Sequence, residues 1–435
     1  MHESLILWDV VEEHLDEAAF LVEMWTRACA AHDQTWRDVE RAFGERLRAH
    51  LDALVIAGDA AAKRLLAPAL ADGDTERDRA TACALALLAS PGGAGLDATL
   101  RALADAEPDG ALRSGIARAL EVSDRPGLDD ALRDALYAAE GDAQPALLSA
   151  LSARCVDAGP IVATLLRSGD AATVTAAARA AALQGADALR GPITALLDAR
   201  HEGVRLAAVE TALLWGLREG WARCVFEAQR GDRDALAWTA MLGGPEALDL
   251  LRAAASRDAS RVAALRALGC TGLVDGAAEC LRWMRHQDKR VARVAADAFG
   301  AITGLDATAE GLSVKAPDDD ELLDLDDDLA TSLDAEVEDA LPLPSPDAFA
   351  RWFRENGARF DRGRRYLRGE ALTAERAIEG LARGPMRPQR WLRWELRARS
   401  RGALAPGAPR LGALMRALSP DVAVRCALQQ PVVWR

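Results

Sequence analysis

Apolar positions recur three and four apart along most of this chain, in runs the length of one helix, so the pattern predicts helix after helix. The runs end in a small residue or a sharp stop at Ser90, Ser123, Val156, Gly185, Gly216, Gly243, Gly269 and Gly300, at intervals of 26 to 33 residues. From Ser123 onward each stop is preceded, 11 to 15 residues earlier, by an acid: Asp109, Asp142, Asp170, Glu202, Asp232, Asp258 and Asp288. An acid near a helix start caps free N–H groups and suits the positive end of the helix dipole, while glycine suits a left-handed stop. Between each stop and the next acid a second helix fits, such as ADALRGPITALLDA (186–199) or LVDGAAECLRWMRHQ (273–287). The unit is a helix–turn–helix of about 30 residues, repeated at least seven times. One such pair cannot bury its apolar stripes alone, but stacked neighbours make one continuous core, so the expectation is an all-α chain built as an α-solenoid. The alternative is an irregular all-α globule with coincidental spacing.

The flanks differ from the repeats. Residues 1–47 carry larger apolar side chains (Leu5, Ile6, Trp8, Phe20, Trp25, Trp36) and predict one amphipathic helix over 4–30, followed by a capping box at Thr35 and Asp38 that opens the next. They are expected to cap a solenoid spanning 48–305. Residues 306–347 are acidic, punctuated by leucine and end in LPLPSPD, which predicts a solvated, partly disordered linker. Residues 348–435 return to helical patterning with Trp352, Trp391, Trp394 and Trp434, and are expected to form a separate small helical module.

Composition supports close helix packing. Alanine supplies 94 of 435 residues, whereas aromatics are only 5%, and small side chains let helices approach towards the lower end of the ~8–10 Å interaxial range. With 28% charged residues the chain resembles a globular protein, and no stretch approaches the ~20 apolar residues of a spanning helix. The N-terminus lacks the pattern of a secretory signal. Seven dispersed cysteines without a C-x-x-C argue against a disulfide framework or zinc site. A reduced cytoplasmic setting is expected.

Charge is unevenly placed. Twelve acids and no base fall in 318–339, nearly the whole of the net −14, whereas 351–401 hold fifteen arginines against six acids. These opposite segments could fold against each other.

Chemistry is sparse. There is no Gly-Lys-Ser/Thr phosphate loop, no G-x-S-x-G elbow and no paired-histidine motif. The run Asp324 to Asp328 opens like a calcium loop but has Leu329 and Ala335 where Gly and Glu are needed. No catalytic, cofactor-binding or metal-binding residue is therefore assigned, and no cofactor is expected. The stretch MRPQRWLRWELRARSRG (386–402) interleaves Arg387, Arg390, Arg393 and Arg397 with Trp391 and Trp394. Arginine with stacking aromatics is the equipment of single-stranded nucleic acid binding. The competing reading is an amphipathic helix that docks its tryptophans while its arginines stay wet. These six residues are the candidate partner-binding set, and Trp215, Trp221, Trp238 and Trp283 are expected in packing.

The stretches VRLAAVETALLWG (204–216), RVAALRALG (261–269) and VARVAADAFG (291–300) resemble HEAT and HEAT-like repeats. That resemblance implies a structural ladder of turn acids and early arginines: Asp109 with Arg113, Glu202 with Arg205, Asp258 with Arg261, and Asp288 with Arg293. Further, HLDEAAFL (14–21), RAHLDALVIAG (48–58), FGAITGLD (299–306) and FDRGRRYLRGEALT (360–373) resemble a family of uncharacterised bacterial HEAT-like proteins often encoded near type VI secretion genes. The resemblance implies a cytosolic adaptor with no activity to carry over. The expected function is a non-enzymatic protein–protein interaction scaffold whose partner is another protein, with no membrane. The alternative is a nucleic-acid-binding protein that uses the basic C-terminal stretch.

Overall fold

The computed structural model describes residues 6–309, 311–314, 338, 341–402, 404, 407, 409–412, 428, 429 and 432–434. Two compact units divide the chain: Met1–Gly220 with Gly380–Ser419, and Trp221–Glu379 with Pro420–Arg435. The expected module at 348–435 is thus shared between them.

In the first unit, α1 (Trp8–Ala28) buries Val11, Leu15, Ala18, Leu21, Val22, Trp25 and Ala28, a stripe of threes and fours. The expected capping box opens α2 (Trp36–Val39): the Thr35 N–H donates to Asp38 Oδ2 at 2.9 Å, and the Asp38 N–H to Thr35 Oγ1. α3 (Glu45–Ala61) packs on α1, and α4 (Ala67–Ala71) leads to α5 (Arg77–Ala89). There follow α6 (Ala94–Asp105), α7 (Ala111–Val122), α8 (Leu128–Ala138), α9 (Ala143–Ala153), the short α10 (Ile161–Leu165), α11 (Ala171–Ala181), α12 (Ala186–Leu196) and α13 (Glu202–Trp215). α5 packs on α7, α7 on α9, α9 on α11 and α11 on α13, while α6, α8 and α12 lie against their sequence neighbours.

Sequence separates the two kinds of helix. α5 is buried without a break from Ala80 to Leu88, because a helix that is apolar on every side must be covered on every side. α8 buries only Leu128, Leu132 and Leu136, one stripe four apart, and keeps its acids outside. Close approach depends on missing side chains: a Cβ at Gly115 on α7 would collide with the Arg77 carbonyl oxygen and the Ala80 Cβ of α5. Thr81 then spans the contact, its hydroxyl near both Arg77 O and Gly115 O (2.9 and 3.0 Å).

The turn acids act where they reach a helix start. Asp170 accepts from the Thr173 N–H (2.7 Å), Asp232 from Ala235 (2.7 Å) and Asp288 from Arg290 (2.8 Å).

The second unit begins in α14 (Arg218–Arg230) and continues with α15 (Arg233–Leu242), α16 (Ala247–Ala255), α17 (Arg261–Thr271), α18 (Val274–Trp283) and α19 (Lys289–Thr303). α15 packs on α17 and α17 on α19. Two stops expected from sequence sit inside helices. Gly269 lies within α17 and Gly300 within α19; the left-handed caps are Gly272 and Gly304. Gly269 instead lets the Ala298 backbone of α19 approach, a Cβ there meeting the Ala298 Cα at 3.0 Å. Gly185 likewise starts α12 rather than ending α11.

α20 (Pro346–Asn356) docks through Phe349, Trp352 and Phe353, whose rings surround Phe299 of α19 at 5.5, 6.0 and 5.7 Å. The stretch 360–373 forms an antiparallel hairpin of β1 (Tyr366–Leu367) and β2 (Glu370–Ala371), where helix had been expected. Its backbone N–H groups donate to the ends of two helices: Tyr366 to Gly272 O, Arg368 to Ala301 O and Gly369 to Ile302 O, each at 2.8 Å. Gly304 must be glycine here, since a Cβ would strike the Arg368 carbonyl. α21 (Ala374–Arg383) follows the hairpin. In the same unit Trp434 stacks on Trp221 at 4.8 Å. Apart from this hairpin and isolated bridges, the described residues are all-α.

Of the acidic segment 318–339, Glu338 alone is described; the calcium-like run at 324–328 lies outside the described residues. Glu338 is buried and pairs with Arg266 of α17 and Arg290 of α19.

Candidate functional site

Returning to the first unit, α22 (Met386–Arg399) packs on α13. Its start is tied to the turn after α1, the Met386 N–H donating to Gln34 O and the Arg387 N–H to Ala31 O. Halfway along, the Trp394 indole donates to Glu210 Oε1 of α13 at 3.0 Å. A buried indole N–H needs an acceptor, and Glu210 is a lone acid in the apolar run 207–214. Glu210 Oε2 in turn lies 3.5 Å from Arg179 Nε of α11.

This junction borders a cavity of about 260 Å³. Its apolar lining is Ala153 of α9, Ala176 of α11, Ala182 just after it, and Leu214 of α13. Ser149, Ser152, Arg179, Glu210, Thr211 and Arg397 supply polar groups. Thr211 is spoken for, its hydroxyl donating to Ala178 O at 2.6 Å. Two other lining residues are not: Ser152 Oγ and the Nε and Nη2 of Arg397 are buried with no hydrogen-bond partner. Buried polar groups ordinarily have partners, so this wall is polar equipment without an occupant among the described residues.

The other members of the expected set are used differently. Arg390 covers the ring of its neighbour Trp391 at 4.7 Å. Arg393 donates to Gln389 Oε1 at 3.3 Å, and burial pulls its guanidinium down to about 10. The arginines of this helix therefore do not all stay wet, since Arg393 is half-buried and Arg397 borders the cavity.

Of the four expected acid–arginine pairs, Asp258 and Arg261 meet, three residues apart on one turn. Arg261 Nη2 donates to Asp258 Oδ1 at 2.5 Å and its guanidinium lies 5.0 Å from the Trp283 ring centroid. Arg113 instead donates to the carbonyls of Ala106 and Asp142, and Arg205 to those of Ala199 and Arg200. Glu202 sits in the first turn of α13, Asp288 caps α19, and the Arg293 Nε is buried. Asp109 precedes the extended residue that starts α7.

A different arginine pattern ties helices together. Arg125 donates to Leu88 O and Ser90 O at the end of α5, at 2.6 and 3.0 Å. Arg154 does the same at the end of α7, reaching Leu120 O and Ser123 O, with Asp129 pairing at 2.6 Å. In the second unit Arg365 of the hairpin reaches Thr271 O and Cys270 O at the end of α17, and Leu428 O besides. Helix ends leave carbonyls unsatisfied and carry the negative end of the dipole, so a guanidinium answers both needs.

The histidines hold one surprise. His14 of α1 and His50 of α3, 36 residues apart, meet with their Nδ1 atoms 3.0 Å apart. Cys83, Cys224 and Cys280 are buried, and burial raises their thiols, to about 12 for Cys83 and Cys224. Cys426 lies outside the described residues. Among those residues, no three or more His, Cys, Asp or Glu side chains gather as metal ligands, and no helix is long and apolar enough to cross a membrane. Compared with known proteins, the chain matches no family model, and no curated relative matches it.

Proposed function

We propose that this chain is a non-enzymatic scaffold, an α-solenoid of HEAT-like helix pairs that binds another protein along its stacked helices. The observation that carries this reading is the relay of enclosed helices, α5 to α7 to α9 to α11 to α13 and α15 to α17 to α19, in which each contacts the next repeat. Stacked pairs of this kind build extended surfaces suited to long partners. The arginines at helix ends support it further, because Arg125 and Arg154 stitch one repeat to the next.

An accessory role in type VI secretion, in the cytoplasm, is part of the proposal and rests on the resemblance of 14–21, 48–58, 299–306 and 360–373 alone. The nucleic-acid reading loses ground through the partial burial of Arg393 and the placement of Arg397 at a cavity wall. Affinity purification of the full-length chain from its native host, with quantitative mass spectrometry, tests the scaffold. A stoichiometric protein partner, retained when nuclease is added, is expected. Recovery of nucleic acid instead, with binding that falls steeply as salt rises, would replace the scaffold by the nucleic-acid reading.

A further inference from the structure

We propose that the cavity between α9, α11, α13 and α22 binds a small monocarboxylate with a short aliphatic substituent. Whether or not the chain is a scaffold, this cavity holds unused donors. Arg397 offers Nε and Nη2, and Ser152 offers its hydroxyl, all buried and all without an acceptor. A carboxylate has two oxygens with lone pairs to spare, and the guanidinium fork presents two parallel N–H groups to such a planar acceptor.

Charge selects the class more narrowly. Arg179 is balanced by Glu210, whose other oxygen is held by Trp394. Arg397 has no acid partner among the described residues, so the wall carries one uncompensated positive charge. A monoanion cancels it. A dianionic phosphate would leave a surplus negative charge beside Glu210, a like-charge contact. A neutral ligand would leave Arg397 unanswered.

Size and lining define the remainder of the ligand. The volume, about 260 Å³, lies just under the ~300–1,000 Å³ of drug-sized pockets. Leu214 and the neighbouring alanines face the same space, so a branched or straight aliphatic group of a few carbons fits.

The test uses the full-length chain and three probes: isobutyrate, its neutral isostere isobutyramide, and inorganic phosphate, each titrated by ligand-observed nuclear magnetic resonance at pH 7. Isobutyrate should bind, with isobutyramide weaker by roughly tenfold or more, as loss of a charge-assisted hydrogen bond implies. Arg397→Gln should weaken isobutyrate by a similar factor, Ser152→Ala by a smaller one, and both should bring acid and amide closer together. Equal binding of acid and amide by the native chain, or no isobutyrate binding at millimolar concentration, would overturn the proposal without any variant. Phosphate binding more tightly than isobutyrate would overturn the monoanion assignment.

Discussion

Arg365 and Arg397 come from the same basic stretch, and nothing in their local sequence ranks one above the other, yet the molecule treats them in opposite ways. Arg365 sits in the hairpin of the second unit with its guanidinium buried against the carbonyls of Thr271, Cys270 and Leu428. Arg397 sits in α22 of the first unit with two of its three nitrogens buried and unanswered. The first is a fastener that satisfies the open end of a helix. The second maintains a cost of the kind usually associated with binding. Charge counted along a sequence cannot distinguish them; only the acceptors supplied by distant segments can.

The sharpest break of this contrast is Arg365→Met. It should destabilise the second unit by about 3 kcal/mol or more, because several buried carbonyls lose their donor at once. Hydrogen exchange read by mass spectrometry should localise the loss to α17, α19 and the hairpin. Unchanged protection there would mean that the carbonyls are satisfied without Arg365, and the contrast would vanish.

Arg154→Met applies the same test inside the first unit and should cost about 2 kcal/mol. Its guanidinium serves Leu120 O and Ser123 O, but its acid partner Asp129 is about a quarter exposed and can recover water when the arginine goes. Thermal unfolding of Arg154→Met beside Asp129→Asn would separate the carbonyl contribution from the ion pair. A loss in Asp129→Asn as large as in Arg154→Met would show that the ion pair dominates.

These fasteners also mark how far sequence could be read. Helix periodicity located α1, α12 and α18, and the stops at Ser90, Ser123, Gly216 and Gly243 fall at helix ends. Gly269 and Gly300 misled because glycine serves two purposes, a left-handed cap or a place where another backbone must come close; the close backbone is Ala298 of α19 for Gly269 and Leu305, just past its own helix, for Gly300. The acid–arginine ladder was legible at Asp258 and Arg261, three residues apart on one turn. It failed at Arg113 because the competing acceptor, Asp142 O, lies 29 residues away. The hairpin at 366–371 was hidden because its strands have two residues each, too short to show alternation. For the cavity one signal was available: Arg179 in the alanine run 176–182 and Glu210 in the apolar run 207–214, isolated charges 31 residues apart. Arg179 is exposed and Glu210 largely covered, and the two meet each other, with Trp394 on the second Glu210 oxygen.

A third test concerns a partnered pair whose bond depends on protonation. Burial first and the charge of His14 second hold His50 below its usual value of 6.5; Arg46 adds to this, while Glu13 and Glu17 oppose it. The unfolded chain therefore takes up this proton at about pH 6.5 and the folded chain only at lower pH. Between those values the unfolded state binds more protons, so stability falls as pH is lowered through the window and levels off beneath it. His50 is only partly enclosed, and solvent screening keeps the effect below about 1 kcal/mol. His50→Gln should flatten the unfolding midpoint between pH 7 and 5. An unaltered pH dependence would assign the proton elsewhere.

The smallest expected change is the most informative about the contrast. Arg397→Leu removes a guanidinium whose Nε and Nη2 make no bonds and replaces it with a side chain suited to the wall formed by Leu214 and the alanines. An arginine that fastened structure, as Arg365 does, would leave its acceptors stranded and cost several kcal/mol. An arginine kept for a ligand leaves nothing stranded, so stability should stay within about 0.5 kcal/mol of the native chain or rise slightly, since an unpaired charge leaves a poorly hydrated site. The same variant should lose isobutyrate binding. Retained stability with lost binding is the signature of a site, while lost stability would make Arg397 a second fastener and erase the difference between the two arginines.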